Sequence, residues 1–277
     1  MRSGLAVLVA EWALVAAVVA DAHAAHLSIY DIQANTSDGD ASAYNGEIQN
    51  VAGGVVTHVW HGFNDRVYLQ DPAHPTWGAI VVKDGEGGEL ADNVQVGDWV
   101  SFENIFIEEY RGTTFLQYRR SFAPDVAFTV ESTGNPVPGP ELLSAAVLAY
   151  PADHGSTEPY ESMLVSLQGV VVGQKDFGKA GDNYELIQES GLAWGTDYMN
   201  VDAGAAYDPR IVSGAELAYL TGLVEQYTRE TDGWDYYQLM TRSAADIVPE
   251  PATGLLLAAG WLGLHPWRRS SPGGADR

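Results

Sequence analysis

Cysteine is absent from all 277 residues, which excludes a disulfide scaffold, thiolate-bound zinc, iron–sulfur clusters and a thiol nucleophile. Positive charge is scarce: 14 Lys and Arg stand against 37 Asp and Glu, a formal net charge of −23. That field opposes the long-range approach of a phosphate backbone, so the composition predicts no nucleic-acid partner. The expected limit is single-stranded DNA binding no tighter than ~10 μM at physiological salt, near the weak nonspecific range. Stretches with helical periodicity are also few, Glu141–Leu148 being the best candidate. Hydrophobic residues make up 46% of the chain, enough for a folded core and too many for wholesale disorder.

The two ends read as addresses. Arg2 is followed by the apolar run Leu5–Ala20 and then by Ala22-His23-Ala24, a small-residue cleavage pattern, so residues 1–24 read as a secretory signal cleaved after Ala24. An uncleaved N-terminal anchor is the alternative. At the other end, Val248-Pro249-Glu250-Pro251-Ala252 precedes the apolar stretch Thr253–Leu264, then Pro266-Trp267 and the pair Arg268-Arg269. His265 and Pro266 end the apolar stretch short of the roughly 20 residues that a spanning helix needs. This order resembles the PEP-CTERM sorting signal of Gram-negative bacteria, which a membrane protease called exosortase processes at the Pro-Glu-Pro motif. The resemblance implies an exported protein at the cell surface or outside it, with exosortase as a transient partner and transient membrane contact through the C-terminal segment. A simple tail anchor is the alternative. The terminal segments carry −1 and +2, so the remaining body holds −24.

Between the ends, apolar residues alternate with period two and are broken by Gly, Asp, Asn and Pro, the pattern of short strands and tight turns. Gln49–Val59, Arg66–Gln70, Trp77–Lys83, Trp99–Ile107 and Thr113–Tyr118 read as five strands, with a long connector between the third and fourth. That is the order of an OB-fold, a five-stranded Greek-key barrel; here the glycine-rich connector predicts a reduced capping helix or none. The pattern then recurs. Gly54-Val55-Val56 is answered by Gly169-Val170-Val171, Tyr68-Leu69-Gln70-Asp71 by Leu186-Ile187-Gln188-Glu189, Trp77 by Trp194, and Glu109-Tyr110 by Gln226-Tyr227. The expected fold is therefore all-β: two tandem OB-like Greek-key barrels, residues 25–131 and 141–247, joined by a proline-rich linker at 132–140 and followed by the apolar sorting segment at 248–277. One large sandwich is the alternative.

The first unit is also similar to a family. Ser28–Gln33, Tyr44-Asn45-Gly46-Glu47, Gly54–Thr57, Tyr68–Pro72, Val96-Gly97-Asp98 and Glu109–Thr113 follow in an order resembling the OB-like domain found beside extracellular nucleases and endonuclease/exonuclease/phosphatase domains. The resemblance implies a second role: an accessory or degenerate component of a secreted nuclease or phosphoesterase system.

The chemistry-bearing residues point away from catalysis. His58, His61 and His74 lie on a strand end and in turns, and read as turn histidines. Asn35, Asp38 and Asp40 surround Gly39 and make a weak calcium candidate, with an ordinary Asp-Gly turn as the alternative; no other cofactor is expected. Glu108 and Glu109 are adjacent on a strand and point to opposite faces. Ser162 and Ser166 lack a nucleophile-elbow setting. No enzyme is expected. Aromatic residues carry the remaining signal: Trp60, Trp77, Tyr110, Tyr118, Trp194 and Tyr227 are candidate ligand-stacking side chains, with core packing as the alternative. Arg119-Arg120 is the one basic pair between the terminal segments, so the expected ligand is an extracellular polysaccharide or a surface protein.

Overall fold

The computed structural model describes residues 26–34, 41–62, 64–85, 88–178, 181–201 and 206–251. Ala24, the calcium candidates Asn35, Asp38 and Asp40, and the sorting residues Arg268 and Arg269 lie outside the described residues.

Alternating patterns become strands wherever one face can be buried, and here two sheets close on themselves. In the first, β1 (Ile48–Trp60), β2 (Arg66–Gln70) and β3 (Ala79–Asp84) form a meander. Next, β4 (Trp99–Tyr110) and β5 (Thr113–Tyr118) form a hairpin, β5 running parallel to β3. Pairing of β1 with β4 closes the ring, and β6 (Ala127–Ser132) adds to the outside of β4. The second sheet opens with β7 (Glu141–Leu143) parallel to β8 (Leu164–Phe177). It continues through β9 (Asn183–Gln188), β10 (Gly191–Thr196), β11 (Glu216–Arg229) and β12 (Trp234–Met240). β10 runs parallel to β12 and β8 pairs with β11, the same strand order as the first ring. These are two OB-like barrels.

Each barrel is filled by its inward-facing alternation. Val56, Leu69, Ile80, Val100, Phe102 and Leu116 are fully buried in the first, with Ile29 and Ile32 of the short helix α1 (Ile29–Gln33) packed against them. A reciprocal capping box starts that helix: Asp31 N donates to Ser28 Oγ at 3.0 Å and Ser28 N donates to Asp31 Oδ2 at 3.0 Å. Leu167, Val172, Tyr184, Leu186, Tyr237 and Leu239 fill the second barrel.

The structure corrects two details of the repeat and one expected helix. Val56 exchanges backbone bonds with Gly97 and Asp98, and it is Val172, not Val171, that does so with Gly214 and Ala215. The equivalence is thus slipped by one residue, which decides the face: Val172 is buried and Val171 exposed. Trp77 and Trp194 are not equivalent either. Trp77 sits in the turn 71–78 between β2 and β3, whereas β9 and β10 are joined by Glu189-Ser190 alone and Trp194 lies within β10. Finally, Glu141–Leu148 is not a helix. Its first three residues are β7, bound to the free edge of β8, and turns follow to Leu148; α2 (His154–Thr157) comes after.

The barrels meet directly. The outer face of β2, β3 and β5 lies on the outer face of β11 and β12, where Tyr68, Val81 and Phe115 are buried against Leu223, Met240, Leu164 and Met199. The contact therefore comes from outward-facing strand positions rather than from the proline-rich linker. β13 (Ile247–Pro249) ends the described chain as an edge strand on β11, and Glu250 N donates to Glu216 O at 3.0 Å. Pro249, the first residue of the predicted sorting motif, therefore belongs to a strand of the second barrel.

Candidate functional site: the cleft between the barrels

Where the barrels diverge beside their shared apolar contact, they leave a cleft of about 240 Å³. Three cations reach it from the first barrel. Arg66 opens β2, Lys83 stands near the end of β3, and Arg111 occupies the turn between β4 and β5. That turn has positive φ at both central residues, 60° at Arg111 and 85° at Gly112, the two-residue hairpin geometry that matches strand twist. A side chain at Gly112 would collide with Gln226 of the second barrel.

Arg66 is the anchor. Its Nη1 donates to Glu225 Oε1 at 2.5 Å, to the Tyr198 hydroxyl at 2.9 Å and to the Tyr68 hydroxyl at 3.3 Å. Gln238 Nε2 donates to the other Glu225 oxygen at 2.9 Å. Burial works against the charge on Arg66, but Tyr198 and Glu225 outweigh it and hold its pKa well above the ordinary value. Burial likewise pushes the Tyr68 hydroxyl up to about 12. Lys83 differs: its Nζ lies 4.7 Å from the Tyr110 ring centroid and 4.8 Å from that of Phe115. Burial, then the charges of Arg66 and Arg119, lower its pKa. The Arg111 guanidinium lies 4.9 Å from the Tyr110 ring and 5.3 Å from the Tyr227 ring, and donates to the Tyr227 hydroxyl at 2.8 Å. Asp182, Gln226 and Tyr236 complete the polar and aromatic lining.

Of the six candidate stacking residues, the fold brings Tyr110 and Tyr227 into this cleft and leaves Trp60 at its edge, 5.5 Å from the Tyr198 ring. Only Tyr110 among them is well exposed, at 42%. Trp194 is buried between Tyr236, Phe177 and a stacked Tyr150. Tyr118 is buried against Phe102 and Phe128 in the first barrel. Trp77 lies in the turn between β2 and β3, its backbone N–H bonded to Pro159 O at 2.6 Å. The histidines do not converge: His74 stacks on Tyr30, His61 pairs with Asp65, and burial lowers the pKa of His58 to about 4. Among the described residues, no three His, Asp or Glu side chains form a group that would hold a metal ion. Glu108 and Glu109 are each engaged separately, with Gln117 and Thr114.

No family model and no curated protein matches this sequence. Among solved structures, the chain is similar to the OB domain of a Methanosarcina mazei protein, with 16% identity over 33% of this chain and 79% of that one, TM-score 0.27. Fission yeast Pot1 with ssDNA matches at 16% identity over 82% of this chain and 93% of that one, TM-score 0.30. A Replication Protein A heterotrimer bound to ssDNA matches at 9% identity over 80% and 53%, TM-score 0.29. The likeness is one of fold. The expectation of no nucleic-acid partner is corrected: two of these neighbours are complexes with ssDNA, and the composition argument behind the expectation fails at the cleft. The physical reason is that net charge sums the whole surface. The cleft collects three of the ten cations that lie between residues 25 and 251, and its lining is net positive within an acidic chain.

The sequence reading missed Lys83, Arg111, Tyr198, Glu225 and Gln238, which sit singly on different strands and turns. The usable signal was the scarcity of cations itself: each one in so acidic a chain merits a reason.

Proposed function

We propose that the chain is a non-catalytic binding protein, exported to the cell surface or extracellular matrix, which holds a unit of a polysaccharide in the cleft between its barrels. One observation carries the reading: the exposed Tyr110 ring stands in the same cleft as Asp182, Glu225, Gln226, Gln238 and Arg111. A sugar ring offers an apolar C–H face to an aromatic ring, and its vicinal hydroxyls match the paired donors and acceptors of planar carboxylate, amide and guanidinium groups. The strands 2 and 3 face of an OB-fold is also its general oligosaccharide- and oligonucleotide-binding side. Export rests on residues 1–24 and on the resemblance of residues 248–269 to a sorting signal.

Titration calorimetry against a panel of oligosaccharides tests the binding. The expected result is a glycan ligand whose affinity falls roughly tenfold in Tyr110→Ala, the size of a lost aromatic contact. A panel with no binder, or binding indifferent to Tyr110→Ala, overturns the cleft reading. Mass spectrometry of the protein from its bacterial host tests export; an intact N-terminus in the cytosolic fraction rejects it.

A further inference from the structure

An acidic protein tends to neutralise its own cations, and this one does so at most positions. Arg66 reaches Glu225, Arg120 reaches Glu89, Arg210 reaches Asp208, Arg229 reaches Asp232 and Arg242 reaches Asp246. Arg119 and Lys175 are held instead by the Asn64 side chain and the Ile211 carbonyl. Lys83 and Arg111 stand apart. Among the described residues neither has a carboxylate within 4.0 Å, and the Lys83 ammonium has no hydrogen-bond acceptor. Both lie over the same ring, Tyr110, at 4.7 and 4.9 Å from its centroid, at the cleft.

We propose that Lys83 and Arg111 form an anion subsite at this cleft that takes the carboxylate of an acidic sugar set among neutral ones. The proposal rests on the polysaccharide reading and specifies its ligand. Ring quadrupoles compensate a cation only in part, and they leave the N–H groups of Lys83 and most of those of Arg111 without acceptors. A carboxylate supplies what is missing: a full opposite charge and oxygens that accept several N–H bonds at once. It also relieves the burial and like-charge repulsion that depress the Lys83 pKa. The rest of the lining sets the limit of one charge. Asp182 and Glu225 line the same cleft and repel a second anion. The volume of about 240 Å³ lies below the usual range for drug-sized ligands and suits one sugar unit.

The test measures the affinity of the full exported protein for three probes: a tetrasaccharide with a single glucuronate, its carboxyl-reduced neutral counterpart, and an oligothymidylate. The glucuronate sugar is expected to bind ~10–100-fold tighter than the reduced one, as for charge-assisted hydrogen bonds. The double variant Lys83→Gln, Arg111→Gln should bring the two sugars to equal affinity. Because Arg111 also bonds Tyr227, Lys83→Gln alone, which removes no hydrogen bond, serves as the second variant and should lose part of the preference at an unchanged denaturation midpoint. Equal binding of both sugars that still depends on Tyr110 overturns the subsite and leaves the polysaccharide reading standing. Failure of both sugars to bind overturns the two together. An oligothymidylate that binds tighter than either sugar, and is lost with the same substitutions, replaces the sugar carboxylate by a nucleic-acid phosphate and overturns the proposal.

Discussion

Arg66 of the first barrel and Glu225 of the second form a 2.5 Å ion pair, with 18% and 12% of their side chains exposed, that joins the two barrels across the floor of the cleft. The pair is enclosed by Tyr68 and Tyr198, both of whose hydroxyls bond Arg66. Removing one partner strands the other charge among rings. Arg66→Leu is expected to lower unfolding free energy by about 3–5 kcal/mol, while the double variant Arg66→Met, Glu225→Leu recovers most of the loss. Equilibrium denaturation of the wild type and these two variants checks both statements. Equal losses in the single and double variants would show the rings, not the pair, to be responsible.

Gly53 and Gly169 occupy equivalent bends in the first strand of each barrel, with φ of 69° and 62°. They differ in space. A side chain at Gly53 would run into the Val100 carbonyl oxygen, while a side chain at Gly169 would enter open space. Gly169→Ala should cost about 1 kcal/mol, the strain of the left-handed region. Gly53→Ala should cost several times more, or prevent folding of the first barrel. Thermal unfolding of both variants separates the two contributions.

Burial holds the Glu161 carboxyl well above the ordinary carboxylate range, and the nearby charges of Glu158 and Glu109 raise it further. Its Oε1 accepts from Gln33 Nε2 at 3.2 Å and from Thr114 N at 3.1 Å, and its Oε2 is buried with no hydrogen-bond partner. A folded-state pKa raised above the unfolded one favours the folded state while both are protonated. That contribution is complete below the unfolded Glu value of about 4.3 and is lost as pH rises through the folded pKa. Glu161→Gln should therefore be more stable than the wild type at pH 7.5, and the advantage should shrink toward pH 4. Denaturation midpoints across that range decide it; an advantage that grows on acidification reverses the sign.

Ile247 and Val248 are neighbours on the last strand with opposite fates, 2% and 44% exposed. Ile247→Ala should cost about 2–5 kcal/mol and Val248→Ala well under 1 kcal/mol. The contrast tests whether the strand ahead of the Pro-Glu-Pro motif is integral to the second barrel. Equal, small effects would mean that β13 is dispensable.

The strand order of both barrels was legible because the period-two pattern and its Gly, Asp and Asn punctuation are local properties. Arg66–Gln70 and Thr113–Tyr118 begin and end in the structure where the pattern places them. Registers between the copies were less legible, since Val171 and Val172 are the same residue type and only hydrogen bonding to Gly214 and Ala215 distinguishes them. The cleft was least legible. Tyr198 and Glu225 line it because two outer faces meet, and nothing local to either residue encodes a contact with a barrel more than a hundred residues earlier. The aromatic list contained the exposed Tyr110 but could not separate it from Tyr118, Trp194 and Tyr227, which are buried.

Apposition of the outer faces also sets valency. Two barrels strung apart on a linker would give two independent grips, and a polymer bound at both would gain from effective concentration. Here the outer face of the second barrel lies against that of the first, so the two barrels share this cleft instead of each presenting its own. On the polysaccharide reading, a single chain would be monovalent toward a polymer at this cleft: it would decorate a strand without tying it to another, and any network would come from the number of chains brought together.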